Sequence, residues 1–119
     1  MARDKAVRGK KGEDRAAAFL EEKGLWILAR NIRCRFGEVD LVEIDGDTLV
    51  FVEVKTWSVY QAESLQQGID AKKQRRIIET AKYFLTVHRE YTCMSIRFDV
   101  ILISPDRIIH LDCAFTEEN

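Results

Sequence analysis

The sequence predicts an α/β fold whose elements follow in the order helix, three strands, helix and further strands. Segments with apolar residues at helical spacing alternate with short runs rich in Val, Ile and Phe, which is typical of α/β domains. Between two of these runs, Asp45-Gly46-Asp47-Thr48 is a strong hairpin signal. With 119 residues, 46% of them hydrophobic, the chain is expected to form one domain over residues 1–119 around a single core.

The first helix is predicted over Lys11–Lys23, and Gly24 provides its C-terminal stop. Its apolar stripe consists of Ala16, Ala17, Phe19 and Leu20. Glu13 lies near the helix start at the edge of that stripe, where the helix dipole favours a carboxylate. Residues 1–10 precede the helix, contain several Lys and Arg residues, and are predicted to form a flexible basic arm.

Three strands are predicted next, over Leu25–Arg33, Gly37–Asp45 and Thr48–Trp57. The third contains the almost unbroken apolar run T-L-V-F-V-E-V-K-T from Thr48 to Thr56, which is typical of a strand buried on both faces. The polar stretch from Ser58 to Gly68 is predicted to be a mobile connection.

A second helix is predicted over Asp70–His88, with Asp70 as its N-cap. Its core stripe consists of Ile77, Ile78, Ala81, Phe84 and Leu85. Lys73 and Gln74 lie one turn earlier, beside that stripe, and could reach toward the sheet.

The last two strands are predicted over Ser95–Ile103 and Ile108–Ala114. The first of them reads S-I-R-F-D-V-I-L-I, a buried run rich in β-branched residues. Pro105-Asp106 supplies the turn that separates them.

Charged residues interrupt the two hairpin strands where burial is expected. Glu53 and Lys55 are two residues apart on the third predicted strand, so their side chains point from one face; Glu38 and Asp40 have the same relationship on the second. Burying such charges is costly unless they are paired or hold a metal.

Two registers of the hairpin remain open. If Gly46-Asp47 forms the loop, Asp40 faces Glu53 and Glu38 faces Lys55. If Asp45-Gly46 forms the loop, Glu38 faces Glu53 and Asp40 lies one diagonal away. Directly opposed residues have Cβ atoms roughly 4.5–5.5 Å apart. Either register therefore gathers two or three carboxylates and one lysine on the same patch.

A divalent cation is the natural source of the positive charge that this patch needs beyond Lys55. Hard oxygen ligands suit Mg²⁺ or Mn²⁺ better than zinc. Glu-x-Lys on its own more often marks an exposed ion pair that contributes little. Asp40, the apolar flanks and the hairpin geometry together favour a site over that interpretation.

The formal net charge is −1, so the whole chain is not basic, but its basic residues are unevenly distributed. One cluster precedes the hairpin and another lies in the second predicted helix; they comprise Arg30, Arg33, Arg35, Lys72, Lys73, Arg75 and Arg76. Each cluster alone is typical of a solvated surface. Beside a carboxylate centre, they suit a polyanion whose phosphate must reach a metal.

The cysteines and the absence of export signals indicate the compartment. Cys34, Cys93 and Cys113 form no C-x-x-C pair and are odd in number, which predicts free thiols in a reducing environment. The sequence contains neither a signal-peptide pattern nor an apolar run of membrane-spanning length. A cytoplasmic location without membrane association is therefore expected.

Four motifs carry a resemblance to a known family. G-E-V-D-L-V, L-V-F-V-E-V-K, K-K-Q-R-R-I and R-F-D-V, in this order, resemble the small bacterial YraN-type proteins. Asp on the second strand followed by Glu-x-Lys on the third resembles the PD-(D/E)XK nuclease superfamily. The resemblance extends from Gly12 to Val100 and implies a restriction-endonuclease-like αβββαβ core, a mixed sheet flanked by helices. Trp57 stands two residues after the motif lysine, where members of the family often carry Arg.

This resemblance implies metal-assisted phosphodiester hydrolysis and assigns the residues for it. The catalytic residues would be Glu13, Asp40, Glu53, Lys55 and Gln74. Asp40 and Glu53, with the backbone carbonyl of Val54, would hold Mg²⁺ or Mn²⁺. Contacts to nucleic acid are expected from Arg33, Arg35, Lys73 and Arg76.

Three classes of function stay open at this point. The first is an Mg²⁺-dependent endonuclease acting on nucleic acid, expected to be DNA, with branched DNA suggested by the resemblance alone. The second is a nucleic-acid-binding module with the same fold and no efficient catalysis, and the third is a metal-binding or protein-interaction domain. Cutting both strands of a junction would call for a two-fold homodimer. Metal-dependent cleavage separates the first class from the others, and salt-dependent DNA binding separates the second from the third.

Overall fold

The computed structural model describes residues 2–56 and 69–117, with side chains from Lys10 onward. The elements of the described chain are α1 (Ala2–Glu22), β1 (Trp26–Cys34), β2 (Gly37–Asp45), β3 (Thr48–Thr56), α2 (Ala71–Val87), β4 (Ser95–Ile103) and β5 (Ile108–Phe115), with one 3₁₀ turn, Arg89–Tyr91, before β4. The connection predicted from Ser58 to Gly68 and the residue Trp57 lie outside the described residues.

The five strands form one mixed sheet in the order β1-β2-β3-β4-β5. β3 and β4 are parallel, whereas the other neighbouring pairs are antiparallel. Parallel neighbours require a crossover connection, and α2 lies within it. The predicted fold class is therefore confirmed: an α/β arrangement consistent with the restriction-endonuclease-like core.

Each helix covers a different set of sheet residues. Ile77 and Phe84 of α2 pack in one cluster with Phe51, and Leu20 of α1 packs in another with Val52. Because successive strand residues point to opposite faces, β3 is covered on both faces, as its apolar run predicts. This places β3 at the centre of the molecule, between both helices.

Several predicted boundaries agree with the structure, and one differs clearly. β2 and β4 begin and end at the predicted residues, and the Asp70 side chain caps α2 by accepting a hydrogen bond from the Lys73 nitrogen at 2.8 Å. The first helix begins at Ala2 instead of Lys11. The backbone of residues 2–10, which we predicted as a flexible arm, is thus helical. The apolar stripe by which that helix was predicted starts only at Ala16, so it gave no signal for the extension.

The hairpin between β2 and β3 uses the first of the two predicted registers. Asp45 pairs with Thr48, and Leu41 with Val52, so Gly46-Asp47 forms the loop. Gly46 has a φ of 62°, a left-handed conformation that glycine adopts without strain.

The pairing of this hairpin stops earlier than predicted. Its last pair is Leu41 with Val52, and beyond it Glu38 pairs with Arg33 of β1. The predicted pairs of Asp40 with Glu53 and of Glu38 with Lys55 therefore both lie beyond the end of this ladder. The reason is local: β2 separates from β3 at Asp40, and its first residues stay with β1.

All three cysteines are free, as predicted. Among the described residues, no helix combines the length and apolar character that crossing a membrane requires.

Candidate active site

The candidate site lies where β2 separates from β3. There the Val54 nitrogen donates a hydrogen bond to Asp40 Oδ2 at 2.7 Å. The Asp40 carboxylate thus takes the place of the backbone carbonyl that would accept this hydrogen bond in a regular β-ladder. On the other side of β2, the pairing with β1 passes over Asn31 and Asp40. Asn31 has a φ of 54°, which Asn tolerates better than most residues. At this position the Asp40 carboxylate reaches β3.

Glu53 is the second carboxylate of the site, and it is buried. Its residue exposure is 9%, and its Oε1 lies 3.3 Å from the Nζ of Lys73 on α2. Its Oε2 is also buried and has no hydrogen-bond partner among the described residues. A buried carboxylate oxygen without a partner is costly, so this atom marks a position where a cation or a proton would be stabilising.

Burial and mutual repulsion alter the proton affinity of both carboxyl groups. Burial, together with the nearby Asp40 charge and opposed by Lys73, raises the pKa of Glu53 to about 7. Burial also raises the pKa of Asp40, although the hydrogen bond from Val54 opposes the rise. Two carboxyl groups held this close resist simultaneous ionisation unless positive charge is added. The pair is therefore suited to receive a cation.

A third carboxylate reaches the site from α1. Burial raises the pKa of Glu13, the charge of Asp40 adds to the rise, and Arg30 and a hydrogen bond with Asn31 oppose it. Gly12 explains how the helix comes so close: a Cβ at Gly12 would lie 3.0 Å from Thr56 Oγ1 at the end of β3. The absence of a side chain at residue 12 thus lets the Glu13 turn approach the sheet.

Lys55 follows Glu53 by two residues on β3 and so belongs to the same strand face. Lys55 and Thr56 are exposed, whereas Leu49 to Glu53 are buried. The apolar run therefore ends before Lys55, and our expectation that both charges lie inside it is correct only for Glu53. Lys55 lies at the accessible rim, next to the carboxylates.

A basic cleft adjoins the carboxylates. It is an open depression of about 430 Å³ between the β1–β2 turn and α2. Its lining includes Arg33, Arg35, Phe36, Glu38, Lys73 and Arg76. The four residues that sequence analysis assigned to nucleic acid therefore lie together in this basic cleft.

Contacts within the basic cleft hold two of these arginines at its wall. Arg33 Nε lies 3.2 Å from Glu38 Oε2, and the guanidinium of Arg35 lies 4.8 Å from the centre of the Phe36 ring. A Cβ at Gly37, whose φ is +153°, would lie 3.2 Å from the Cβ of Arg76. The turn and α2 thus meet closely because residue 37 has no side chain.

Lys73 and Gln74, which by sequence could both reach toward the sheet, have different contacts in the structure. The Gln74 amide donates a hydrogen bond to the Ile69 carbonyl at 2.8 Å, so it braces the start of α2, whereas Lys73 contacts Glu53. Adjacent helical residues point about 100° apart, so both cannot face the same group. The sequence did contain a signal for Lys73, which precedes the buried Ile77 by one helical turn.

The residues present fit a hard divalent cation with few protein ligands. Within residues 10–56 and 69–117, whose side chains the structure describes, no three His, Cys, Asp or Glu side chains gather closely enough to hold a metal by themselves. The predicted set is smaller: two carboxylates, Asp40 and Glu53, with the carbonyl of Val54. Mg²⁺ commonly binds through one or two carboxylates and retains several waters. The unpartnered oxygen of Glu53 agrees with such a set.

The R-F-D-V motif belongs to a separate, structural cluster. Asp99 accepts hydrogen bonds from Arg97 Nε at 2.9 Å and from the Cys113 nitrogen at 3.0 Å, and it pairs with His110 Nε2 at 2.7 Å. These contacts span the irregular pairing of β4 with β5, and they lower the pKa of Asp99 despite its burial. Asp99 thus joins the two strands, away from the carboxylate pair.

Comparisons with known proteins agree on one family. The sequence model described as "Uncharacterised protein family UPF0102" matches residues 12–103. A UPF0102 protein of Treponema denticola is 44% identical over 121 residues, covering 90% of this chain and 93% of the relative. UPF0102 proteins of Persephonella marina and Lachnoclostridium phytofermentans are 40% and 43% identical and cover 92% and 94% of this chain, and 93% and 95% of their own lengths. The matched segment includes the whole carboxylate site and the basic cleft, and the chain therefore belongs to the UPF0102 family.

Proposed function

We propose that this protein is a divalent-metal-dependent endonuclease of the PD-(D/E)XK superfamily that hydrolyses phosphodiester bonds in nucleic acid, DNA in particular. One observation carries the proposal: the buried pair Asp40 and Glu53 directly adjoins the basic cleft, and Lys73 belongs to both. Phosphodiester hydrolysis needs a charge-stabilising centre and a surface that brings the phosphate to it. The mixed sheet, with Asp on β2 and Glu-x-Lys on β3, supports the superfamily assignment.

Asp40 and Glu53 would hold Mg²⁺ or Mn²⁺ together with the carbonyl of Val54. Such an ion polarises a phosphate oxygen and lowers the pKa of a bound water. The hydrogen bond from Val54 to Asp40 fixes one carboxylate, and burial fixes the other. The protein would therefore supply a pre-formed pair of oxygen ligands, one on β2 and one on β3.

Lys55 is proposed to orient the attacking water, accept its proton or offset the charge that develops on the phosphate. Its position at the accessible end of β3, on the Glu53 face, suits this role. Burial raises the pKa of Glu13 and the nearby charge of Asp40 adds to the rise, so Glu13 lies close to the carboxylate pair. We assign it to steadying Lys55 or the cation. Gln74 acts indirectly, because its hydrogen bond to Ile69 sets the start of the helix that carries Lys73.

The basic cleft would bind the sugar-phosphate backbone through Arg33, Arg35 and Arg76. Phosphate contacts of this kind position a nucleic acid without reading its sequence. The expected activity is thus guided by the shape of the substrate, and binding should weaken as salt concentration rises.

The test is a cleavage assay on labelled single-stranded, duplex, flapped and four-way DNA, and on single-stranded RNA, with Mg²⁺, Mn²⁺ or EDTA. A Glu53→Ala/Lys55→Ala double variant and a Lys72→Ala control run in parallel. Metal-dependent cleavage that the double variant loses and the control keeps would support the proposal. Cleavage that persists in EDTA or in the double variant would overturn it.

A second function, nucleic-acid binding without efficient cleavage, has a specific observation in its favour. The ion pair between Lys73 and Glu53 offsets part of the buried negative charge without any metal. Under this alternative, the same panel would show salt-sensitive binding and no metal-dependent products.

A further inference from the structure

Lys73 occupies a position that two different partners would compete for. Its Nζ lies 3.3 Å from Glu53 Oε1, and its side chain also lines the basic cleft. No other residue of the described chain has both an ion pair with Glu53 and a place in this cleft. The two halves of the proposed site therefore meet at a single ammonium group.

The backbone of Lys73 is fixed, whereas its side chain is long and half-exposed. The Lys73 nitrogen donates to Asp70 Oδ1 at 2.8 Å in the first turn of α2, and the side chain is 43% exposed, against 11% for Glu53. A lysine has a flexible four-carbon stem that carries a compact charge. The ammonium can thus move between Glu53 and the cleft without any rearrangement of the helix.

The charge around Glu53 determines where that ammonium is stable. With Asp40 and Glu53 close together, a positive charge beside Oε1 relieves their repulsion. When the two carboxylates hold a divalent cation, the same position becomes repulsive for an ammonium, because like charges at this separation disfavour each other. A substrate phosphate in the basic cleft then offers the nearest favourable partner.

We propose that Lys73 is an exchangeable counter-ion: it neutralises Glu53 in the metal-free protein and moves to a substrate phosphate in the basic cleft once the divalent cation is held by Asp40 and Glu53. This inference rests on the proposed function and deepens it. By this exchange, metal binding frees a cationic side chain for the substrate, so the two binding events favour each other. The coupling is reciprocal, as any linkage between two sites must be.

The experiment measures Mn²⁺ affinity by electron paramagnetic resonance on the full chain, without nucleic acid. A Lys73→Met variant keeps the apolar stem and removes the charge that competes with the cation. We expect its Kd for Mn²⁺ to fall at least fivefold relative to the unmodified protein, and the gain to persist at 0.5 M salt. Lys72→Met controls for the loss of a neighbouring lysine. Arg76→Met controls for the general electrostatic effect of losing one positive charge from the basic cleft. Both should change the Kd less than twofold at that salt concentration.

A second measurement tests the other half of the exchange. The affinity for a single-stranded oligonucleotide is measured with and without Ca²⁺, a divalent cation that can bind the carboxylates and is used here so that binding is measured without cleavage. The affinity with Ca²⁺ divided by the affinity without it should be several-fold smaller in Lys73→Met than in the unmodified protein. Circular dichroism melting shows that each variant is folded.

The outcomes separate this inference from the proposed function. An unchanged or weaker Mn²⁺ affinity in Lys73→Met, or an equal gain in Arg76→Met, overturns the exchange. If the unmodified protein nevertheless binds Mn²⁺ and cleaves DNA, the proposed nuclease stands. If neither protein binds Mn²⁺ at millimolar concentration, both proposals fail.

Discussion

Asp40 on β2 accepts a hydrogen bond from the backbone nitrogen of Val54 on β3 at 2.7 Å, and this contact holds the hairpin together one residue beyond its last backbone pair. The same carboxylate is one of the two proposed cation ligands. Structure and proposed chemistry thus depend on one side chain, the first through hydrogen-bond acceptance and the second through its charge, and substitutions can separate the two roles.

Asp40→Asn should retain the fold and lose the activity. The amide oxygen can still accept from Val54, so the free energy of unfolding should fall by less than about 1 kcal/mol. The missing charge should reduce cleavage by roughly a hundredfold or more, since charge stabilisation at the phosphate is lost. Urea denaturation and single-turnover cleavage measure the two effects.

Asp40→Ala provides the comparison for this prediction. It leaves the Val54 nitrogen without its acceptor, which should cost about 1–3 kcal/mol of stability. Equal stability of the Asn and Ala variants would show that the hydrogen bond has no structural role, and wild-type cleavage by Asp40→Asn would contradict the ligand assignment.

Stability should fall as pH rises from about 5 to 8, because of Glu43 as well as Glu53. Glu43 is fully buried, neither of its carboxyl oxygens has a hydrogen-bond partner among the described residues, and burial, followed by the charges of Glu21 and Asp99, raises its pKa to about 7. The folded state then holds a proton that the unfolded state releases above its ordinary pKa of 4.5. The contribution of Glu43 to the free energy of unfolding is therefore largest below pH 4.5 and is lost as pH rises through 7.

Glu43→Gln removes this titration without changing the side-chain shape. The variant should exceed the unmodified protein by about 3 kcal/mol in unfolding free energy at pH 8 and by less than about 1 kcal/mol at pH 5. Chemical denaturation at the two pH values measures the difference, and Glu22→Gln, an exposed change on α1, is the control. The idea fails if the advantage of Glu43→Gln is the same at both pH values.

Gly12→Ala should impair cleavage more than stability. The new Cβ would meet Thr56 Oγ1 at 3.0 Å and force the Glu13 turn away from β3, whereas alanine favours a helix by up to about 1 kcal/mol over glycine. These stability terms oppose each other, so the net change should be within about 1 kcal/mol. Cleavage should fall roughly tenfold, because the Glu13 carboxylate moves away from Lys55 and the other carboxylates of the site.

A second substitution tests that steric explanation. Thr56→Ala removes the atom that the new Cβ would meet, so the Gly12→Ala/Thr56→Ala double variant should recover most of the lost activity. Additive losses in the double variant would count against the close packing of α1 on β3 as the cause.

Neutralising the basic cleft should weaken nucleic-acid binding without affecting the cation. Arg35→Gln and Arg76→Gln should each reduce the salt dependence of binding by roughly one unit of slope, as expected for the loss of one phosphate contact. Arg89→Gln, an exposed change on the 3₁₀ turn, is the matched control. Fluorescence anisotropy across a salt series measures the slopes, and identical slopes for all three variants would remove the basic cleft from the proposal.

The sequence predicted the elements well because their signals are local. The apolar run from Leu49 to Val52 and the Gly46-Asp47 loop depend on nearby residues alone, and the bounds of β2 and β4 follow from such patterns. The gap in the pairing at Asn31 and Asp40 depends on two strands at once. No periodicity in either strand encodes it, so the predicted hairpin pairing continued to Glu38 and Lys55, past the observed end of the ladder.

The candidate site was predicted in composition but not in arrangement. Asp40, Glu53 and Glu13 come together as expected, because their elements pack in the expected order. Which of Lys73 and Gln74 contacts Glu53 depends on the rotation of α2 about its axis, which the packing of Ile77 and Phe84 against the sheet sets. The pattern of a single helix indicates a face only within about one residue, so it placed both residues beside the sheet without distinguishing their contacts.

The parallel pairing of β3 with β4 also orders the events of folding. Asp40 and Glu53 lie on adjacent strands joined by a short loop, so their contact is local and quick to form. Lys73 joins them only when α2, which lies in the crossover from β3 to β4, docks on the sheet, a non-local step with a larger loop-closure entropy. We therefore expect the repulsion between the carboxylates to be present in early hairpin-like states and to be relieved late. The docking of α2 would then both cover one face of the sheet and place a positive charge beside the two carboxylates.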